Sequence, residues 1–271
     1  MVPDVQMCGD VWRSLHVILV AAIAVALVVA WRRANVHGVG TALAGANLVL
    51  FAIAIALNAV GRTAVRARRT QLLLAGRVTF AEALHMNLAG YAAGALLPGP
   101  AEEAVCCAQL ARAKRFTVRE LAAFQLRDKL VGAASIAVVA AVLLPPLLGG
   151  LAIGGIAIAS RRAIVPLGWL VVSNALCIAM IGLCIAAAGG CTSTRGCTTV
   201  FLATALASAI PLVPAQLGTL EAGFVVAATQ LAIPASIAVS AALLYHVAQV
   251  APLVVVGVVP LFRVSAGGTR C

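Results

Sequence analysis

The segment Leu96–Glu103 reads Leu-Leu-Pro-Gly-Pro-Ala-Glu-Glu, and the segment Ile210–Glu221 reads Ile-Pro-Leu-Val-Pro-Ala-Gln-Leu-Gly-Thr-Leu-Glu. Each places helix-breaking and acidic residues inside a long apolar stretch. A carboxylate in hydrocarbon is costly, so it normally faces a protein interior or a wet cavity. Broken helices at membrane depth are tolerated only where the freed backbone is buried or lines such a cavity. Two such breaks in two halves of one chain predict a polar binding site near the membrane midplane.

The composition is that of an integral membrane protein. Of the 271 residues, 63% are hydrophobic and 10% are charged, and the mean hydropathy is +1.10. Soluble proteins carry about 25% charged residues. We therefore expect an all-α, multi-pass protein of the cell inner membrane, with one transmembrane domain over residues 1–271.

The net charge is +11, and the basic residues lie in short segments between apolar runs. Short segments rich in Lys and Arg mark the cytoplasmic side of a membrane protein. Two such loops, Gly61–Val78 and Arg112–Glu120, are predicted to face the cytoplasm and to meet anionic lipid headgroups. Because the basic residues are distributed in this way, we expect no binding to nucleic acid.

Hydropathy predicts about six full spans and two re-entrant hairpins. The spans are Leu15–Trp31, Val39–Val60, Leu121–Leu144, Leu147–Ser160, Ile164–Ala188 and Ala235–Phe262. The first half covers residues 15–144 with a hairpin at 80–112, and the second covers 147–262 with a hairpin at 199–233. If the short segment Leu147–Ser160 does not cross, every later segment reverses. If it does, the hairpins enter from opposite faces, as in an inverted-topology repeat.

No pattern of residues indicates an enzyme, a cofactor or a metal site. The chain contains no nucleophile elbow, P-loop, HExxH or dinucleotide fingerprint. Its four histidines are scattered, and its eight cysteines show no metal-ligand spacing. Cys191 and Cys197 share a polar loop, where a disulfide can form if that loop faces the periplasm.

The acidic residues at the breaks are the candidate site residues. Glu102 and Glu103 open a half-helix, where the helix dipole favours carboxylates. They either cap that helix or contribute to a polar site. Two adjacent side chains cannot share one helix face, so we favour Glu103 for the cavity. Glu221 opens the second returning half-helix and raises the same alternatives, with Lys129 or Arg127 as its expected partner.

The cluster Arg127-Asp128-Lys129 begins about two turns into its predicted span. It either snorkels to the headgroups or presents a cation and a carboxylate to the cavity, where a phosphate would favour Arg or Lys. The substrate-binding candidates are therefore Glu102, Glu103, Arg127, Asp128, Lys129 and Glu221. The residues expected to break the helices and expose backbone groups are Pro98, Gly99, Pro211, Pro214 and Gly218.

These motifs resemble the membrane domain of lysylphosphatidylglycerol synthase/flippases and its stand-alone relatives without the synthase domain. The family motif Leu-Pro-Gly-Arg-x-Gly-Glu corresponds to Leu97–Glu103, which keeps the Pro, the Gly and the final Glu but has Pro100 for the Arg and Glu102 for the second Gly. The Glu-Arg pair of the next span corresponds to Asp128-Lys129.

The second family motif, Pro-x-Ser-Pro-Gly-Gly-x-Gly-x-x-Glu, corresponds to Pro211–Glu221, in which Ala215-Gln216 replaces the Gly-Gly pair. The Tyr-Arg pair that often follows in the last span is Tyr245-His246 here. The resemblance implies movement of a lipid between leaflets, the lipid being an aminoacylated phosphatidylglycerol or a prenyl-linked lipid.

Two alternatives from other classes stay open. The chain could be an inverted-repeat carrier of an ion or small solute, or a non-catalytic membrane scaffold for a lipid-modifying enzyme. A cavity open sideways to lipid favours the flippase, a closed water-filled cavity favours the carrier, and no cavity favours the scaffold. Membrane lipids are the expected partners, and a homo-oligomer is compatible with the sequence.

Overall fold

The computed structural model describes residues 36–97, 101–112, 116–141, 143, 164–208 and 216–266. Within these residues every regular element is a helix, which confirms the all-α prediction. The predicted spans Leu15–Trp31 and Leu147–Ser160 lie outside the described residues. So do Pro98, Gly99, Pro211 and Pro214 of the two breaks.

The described helices are numbered in chain order. They are α1 (Val36–Ala44), α2 (Leu48–Leu73), α3 (Phe80–Leu96), α4 (Ala101–Arg112), α5 (Val118–Ala141), α6 (Ile164–Ala187), α7 (Thr194–Ser208), α8 (Thr219–Gln230) and α9 (Ala235–Ala266). Among them, three segments are long and apolar enough to cross a bilayer: Leu48–Leu73, Ile164–Ala187 and Ala235–Val259. The chain is therefore a membrane protein.

The basic segment after the second predicted span is helical, so the prediction of a loop over Gly61–Val78 is wrong. Helix α2 continues to Leu73, and the chain turns only at Ala75 and Gly76, which have φ of 53° and 72°. Arg62, Arg66 and Arg69 are four and three residues apart and so share one helix face. Two of these charges are accommodated by carboxylates of other helices, since Arg66 pairs with Glu102 and Arg69 pairs with Asp128.

Contacts at the helix ends define two ends of the bundle. At the Asn47 end, the Asn47 N–H donates to the Ala187 carbonyl at 2.9 Å. At the Arg77 end, Arg77 Nη1 donates to Glu120 Oε1 at 2.5 Å. Helix α2 runs from the first end to the second. The start of α5 therefore lies at the end of the bundle opposite the loop that follows α6.

Two pairs of short helices pack closely through glycines. A Cβ atom at Gly90 in α3 would lie 2.7 Å from Cys106 Sγ in α4. A Cβ atom at Gly223 in α8 would lie 2.8 Å from the Ala203 carbonyl oxygen in α7. Small residues allow such close approach between helices. Helix α3 ends before Leu97, which is extended (φ −119°, ψ 142°), as expected for a residue that precedes a proline.

The two long helices α2 and α9 are joined where each departs from regular α-helix. Pro252 has no N–H, which leaves the Ala248 carbonyl without its usual helical donor. Asn58, fully buried in a π-helical turn at Leu57–Arg62, donates from Nδ2 to the carbonyls of Ala248 at 3.0 Å and Gln249 at 2.8 Å. A carbonyl freed inside a membrane needs a protein partner, and Asn58 supplies it.

We expect Asn58→Leu to destabilise the protein, because the Ala248 carbonyl would be buried without a donor. The loss should be about 1–3 kcal/mol, the usual cost of an unsatisfied buried polar group. Denaturant unfolding in detergent micelles measures it. Gln230→Leu removes an exposed amide and should leave the midpoint unchanged. Equal midpoints for both variants and the wild type would contradict the assigned role of Asn58.

The Arg77 end is predicted to face the cytoplasm, because it carries the densest positive charge of the short connecting segments. Two proteins, each with one cysteine, test this in intact cells. Val118→Cys places a thiol on an 83% exposed residue at the Arg77 end, and Cys191 is exposed near the Asn47 end. An impermeant maleimide added outside should label only Cys191. Labelling of Val118→Cys from outside would show that the Arg77 end faces outward and would contradict the predicted orientation.

Candidate functional site

Helix α4 begins with two carboxylates that reach cations on two different helices. Glu102 Oε1 accepts a hydrogen bond from Arg66 Nη2 of α2, and Glu103 Oε1 accepts one from Lys129 Nζ of α5. Both Glu side chains are about one-third exposed. The start of α4 is thus tied to α2 on one side and to α5 on the other.

A third ion pair joins α2 directly to α5. Arg69 Nη2 lies 2.7 Å from Asp128 Oδ1, and their side chains are 10% and 23% exposed. Lys129 is 66% exposed, and its neighbour Arg127 is also exposed. Exposed ion pairs contribute little to stability, whereas removing one partner of a buried pair is costly. Arg69–Asp128 is therefore a structural contact, and Glu103–Lys129 can open at small cost.

A small cleft with a mainly apolar surface lies beside Arg66, between α2, α3 and α9. Its lining residues are Thr63, Arg66, Asn87, Leu88, Tyr91 and Leu253. The Arg66 guanidinium lies 5.5 Å from the centroid of the Tyr91 ring, within the range of a cation–π interaction. Asn87 Nδ2 donates to Thr70 Oγ1 at 3.1 Å. The cleft combines a cation, an amide, a hydroxyl and an aromatic ring with two leucines.

At the second break, Glu221 uses its two oxygens for two different contacts. Oε2 accepts the Gly218 N–H at 2.8 Å, and Oε1 lies 2.8 Å from His246 Nδ1 on α9. Gly218 has φ 85°, which a glycine adopts without strain. The expectation that Lys129 or Arg127 would pair with Glu221 is wrong, because His246 holds that position. The same carboxylate both caps α8 and joins it to α9.

Side chains around His246 form a buried polar group on α9. Tyr245 is 1% exposed and packs on Phe224 with ring centroids 5.7 Å apart. Gln249 Nε2 donates to the Tyr245 hydroxyl at 2.6 Å. The Gln249 carbonyl in turn accepts from Asn58. Polar residues thus extend from the Glu221 pair across α9 to the π-helical turn of α2.

The structure divides the predicted site residues into two groups. Glu102, Glu103, Asp128 and Lys129 meet at the α2–α4–α5 junction, and Gly218 and Glu221 lie at the α8–α9 junction. A cavity shared by Glu103 and Glu221 stays a prediction. Sequence reasoning missed the partners Arg66, Arg69 and His246 and the linking residue Asn58. The helical spacing of Arg62, Arg66 and Arg69 was the one available signal.

Glu120 is an exposed carboxylate outside this site. The Thr117 backbone N–H, Arg77 Nη1 and the Thr117 hydroxyl donate to it, and these contacts lower its pKa to about 2. It forms a capping box with Thr117 at the start of α5. Glu120 therefore offers a matched control for the loss of one carboxylate at a helix start.

Comparison with known families gives a match over most of the chain. The model of a family described as "Lysylphosphatidylglycerol synthase TM region" matches residues 15–160 and residues 153–257. Those ranges contain every ion pair of the site. No curated protein matches the chain significantly.

Removing one partner of the Arg69–Asp128 pair should destabilise the protein more than removing both. Arg69→Met leaves a partly buried carboxylate unpaired, and we expect a loss of about 3 kcal/mol. Asp128→Leu added to Arg69→Met should recover most of it. Denaturant unfolding of the two single variants and the double variant measures the coupling. The same cycle on the exposed Arg77–Glu120 pair should give a coupling too small to resolve. Equal couplings for the two pairs would contradict the structural role of Arg69–Asp128.

Proposed function

Because the chain belongs to the lysylphosphatidylglycerol synthase TM region family, we propose that it moves a phospholipid headgroup between the leaflets of the cell inner membrane. The headgroup passes along the polar residues of the α4 and α8 starts, and the acyl chains stay in the bilayer. The observation that carries the proposal is that each of these helices, in two separate helix pairs, begins with a carboxylate paired to a cationic or titratable side chain of another helix.

The proposal includes two re-entrant hairpins. Helices α3 and α4 have lengths of about 26 and 18 Å at 1.5 Å per residue, short of the roughly 30 Å hydrocarbon core. Leu110 near the end of α4 packs in one cluster with Leu74 and Val78, at the Arg77 end where α3 begins. In the other pair, a Cβ atom at Gly196 in α7 would lie 3.4 Å from Leu231, which follows α8. Both contacts support hairpins that return to the end they came from.

Hairpins from opposite ends would form an inverted repeat and bring both broken segments toward the midplane. The N-terminal ends of α4 and α8 would then lie at the depth where a headgroup meets the greatest barrier. A full multi-pass arrangement with about six spans is part of the same proposal.

The ion pairs suggest how a headgroup is accommodated. Opening the half-exposed Glu103–Lys129 contact frees Lys129 for a phosphate oxygen and Glu103 for a cationic group such as an amine. The buried Arg69–Asp128 pair holds α2 and α5 in place meanwhile. The process needs no covalent step, so we propose no enzymatic activity and no cofactor.

A carrier of protons or of a small solute is the second candidate. The Glu221–His246 pair favours it, because carboxylate and imidazole side chains in contact form the proton relays of membrane pumps and transporters. A flux of protons without lipid movement would select this alternative.

Translocation in reconstituted vesicles tests the proposal. Vesicles contain a fluorescent phosphatidylglycerol, and a membrane-impermeant quencher reports its arrival in the outer leaflet. Glu103→Gln and Glu221→Gln should fold normally and lose translocation, because each removes a carboxylate from the path. Glu120→Gln, the matched surface control, should keep the wild-type rate. A wild-type rate equal to that of protein-free vesicles would contradict lipid translocation, and wild-type rates in both Gln variants would contradict the site.

Lys129→Ala should weaken the transport of phosphate-bearing lipids, because a cation is lost from the path. Arg119→Ala removes an exposed charge of the same helix outside the candidate site and should have little effect. The initial rates of both variants, measured with phosphatidylglycerol and with a phosphate-free lipid of the same acyl chains, give the comparison. An equal loss for the two lipids in Lys129→Ala would contradict a phosphate contact.

A further inference from the structure

Among the described residues, the arginine face of α2 carries one more positive charge than its carboxylate partners neutralise. Arg66 pairs with Glu102 and Arg69 with Asp128. Arg62, one turn earlier, has no ion pair within 4 Å among the residues described. Glu102 acts on it electrostatically from a greater distance while bonded to Arg66. Three guanidinium groups thus share two carboxylates.

The contacts of Arg62 leave much of its hydrogen-bonding capacity unused. Nη1 reaches Asn58 Oδ1 only at 3.5 Å. Nε is buried and has no hydrogen-bond partner in the described part of the chain. An arginine carries five N–H donors and cannot be deprotonated in proteins. A cation held this way among apolar helices is costly unless an anion joins it.

The surroundings of Arg62 offer an anion further donors. Arg62 lies at the end of the π-helical turn, a distortion that often marks functional sites. The cleft between α2, α3 and α9 is bordered by Thr63, which follows Arg62 directly, and by Arg66, one turn further along α2. Tyr91 borders the same cleft, and the centroid of its ring lies 5.5 Å from the Arg66 guanidinium. Arg62 is therefore a cation that lies one residue from the lining of a small cleft of about 10 Å³.

We propose that Arg62, together with Arg66, binds the phosphodiester of an anionic lipid headgroup. A guanidinium fork matches two phosphate oxygens. A phosphodiester carries one negative charge, which equals the excess on this helix face. A phosphate monoester, with a charge near −2 at neutral pH, would leave the face negative. This assignment rests on the proposed lipid function and names the residue that selects the headgroup.

Native mass spectrometry of the full chain in detergent tests the assignment. The probes are phosphatidylglycerol, a diacylglycerol with the same acyl chains, and inorganic phosphate. The wild type should retain one phosphatidylglycerol at least about tenfold more strongly than diacylglycerol, as expected for a charge-assisted hydrogen bond. Inorganic phosphate at matched concentration should not displace the lipid. Displacement would assign the site to a free oxyanion and overturn the lipid assignment.

Two variants with a matched control locate the site. Arg62→Gln should lose the preference for phosphatidylglycerol about tenfold, and Arg62→Lys should keep part of it because the charge remains. Arg68→Gln removes an exposed arginine of the same helix, whose Nη1 donates to Gln71, and should bind as the wild type does. Unchanged binding in Arg62→Gln would overturn the assignment.

The binding assay separates this inference from the proposed function. If Arg62→Gln fails to fold, the wild-type ratio of phosphatidylglycerol to diacylglycerol decides alone, and a ratio near one overturns the assignment. Selective retention by a wild type that does not translocate lipid would refute the proposed function and support the phosphate site. If the wild type translocates lipid but binds both lipids equally, the proposed function is supported and the phosphate site is refuted.

Discussion

A charge or a free carbonyl inside an apolar helix bundle must find a protein partner, and this requirement determines how the helices of this chain meet. The Ala248 carbonyl, freed by Pro252, is bonded by Asn58, so α9 is fixed against the π-helical turn of α2. Arg69 is paired with Asp128, so α2 is fixed against α5. Small residues and apolar side chains pack between the helices. The polar contacts determine which pairs of helices lie against each other.

The same requirement separates structural pairs from those that a ligand can enter. The Arg69 and Asp128 side chains are 10% and 23% exposed, whereas Lys129, which bonds Glu103, is 66% exposed. Glu221 keeps one oxygen on the Gly218 N–H while the other faces His246. Glu221 can therefore change its partner at one oxygen without giving up the cap of α8. Glu103 thus fits a transient partner better than Asp128 does, whereas the Glu221 and His246 side chains, at 13% and 10% exposed, are buried more deeply than the Arg69–Asp128 pair.

Hydropathy predicted two of the three long helices well, because the cost of apolar surface in water is a local property of the sequence. It placed the third wrongly, since the span predicted over Val39–Val60 is interrupted after Ala44 and the long helix runs over Leu48–Leu73. Helix α6 begins at Ile164 and α9 at Ala235, the residues predicted. The basic segment after Val60 was assigned wrongly to a loop, since charge density alone does not reveal that Glu102 and Asp128 lie within reach. The partner of Glu221 was also missed, because His246 lies on the next helix, 25 residues along the chain. Contacts between residues of different helices leave no periodic pattern in the sequence. The spacing of Arg62, Arg66 and Arg69 on α2, in contrast, is a helical pattern that the sequence does show.

The central claim is that the starts of α4 and α8 line one path for a lipid headgroup. Photo-crosslinking tests it most directly, with phosphatidylglycerol that carries a diazirine on its glycerol headgroup, in vesicles that contain the wild-type chain. Peptide mapping should place the label near Glu103 and Lys129 and also near Glu221, and excess unlabelled phosphatidylglycerol should reduce both. Label confined to the lipid-exposed outer faces of α2, α5 and α9, unaffected by the competitor, would contradict the account.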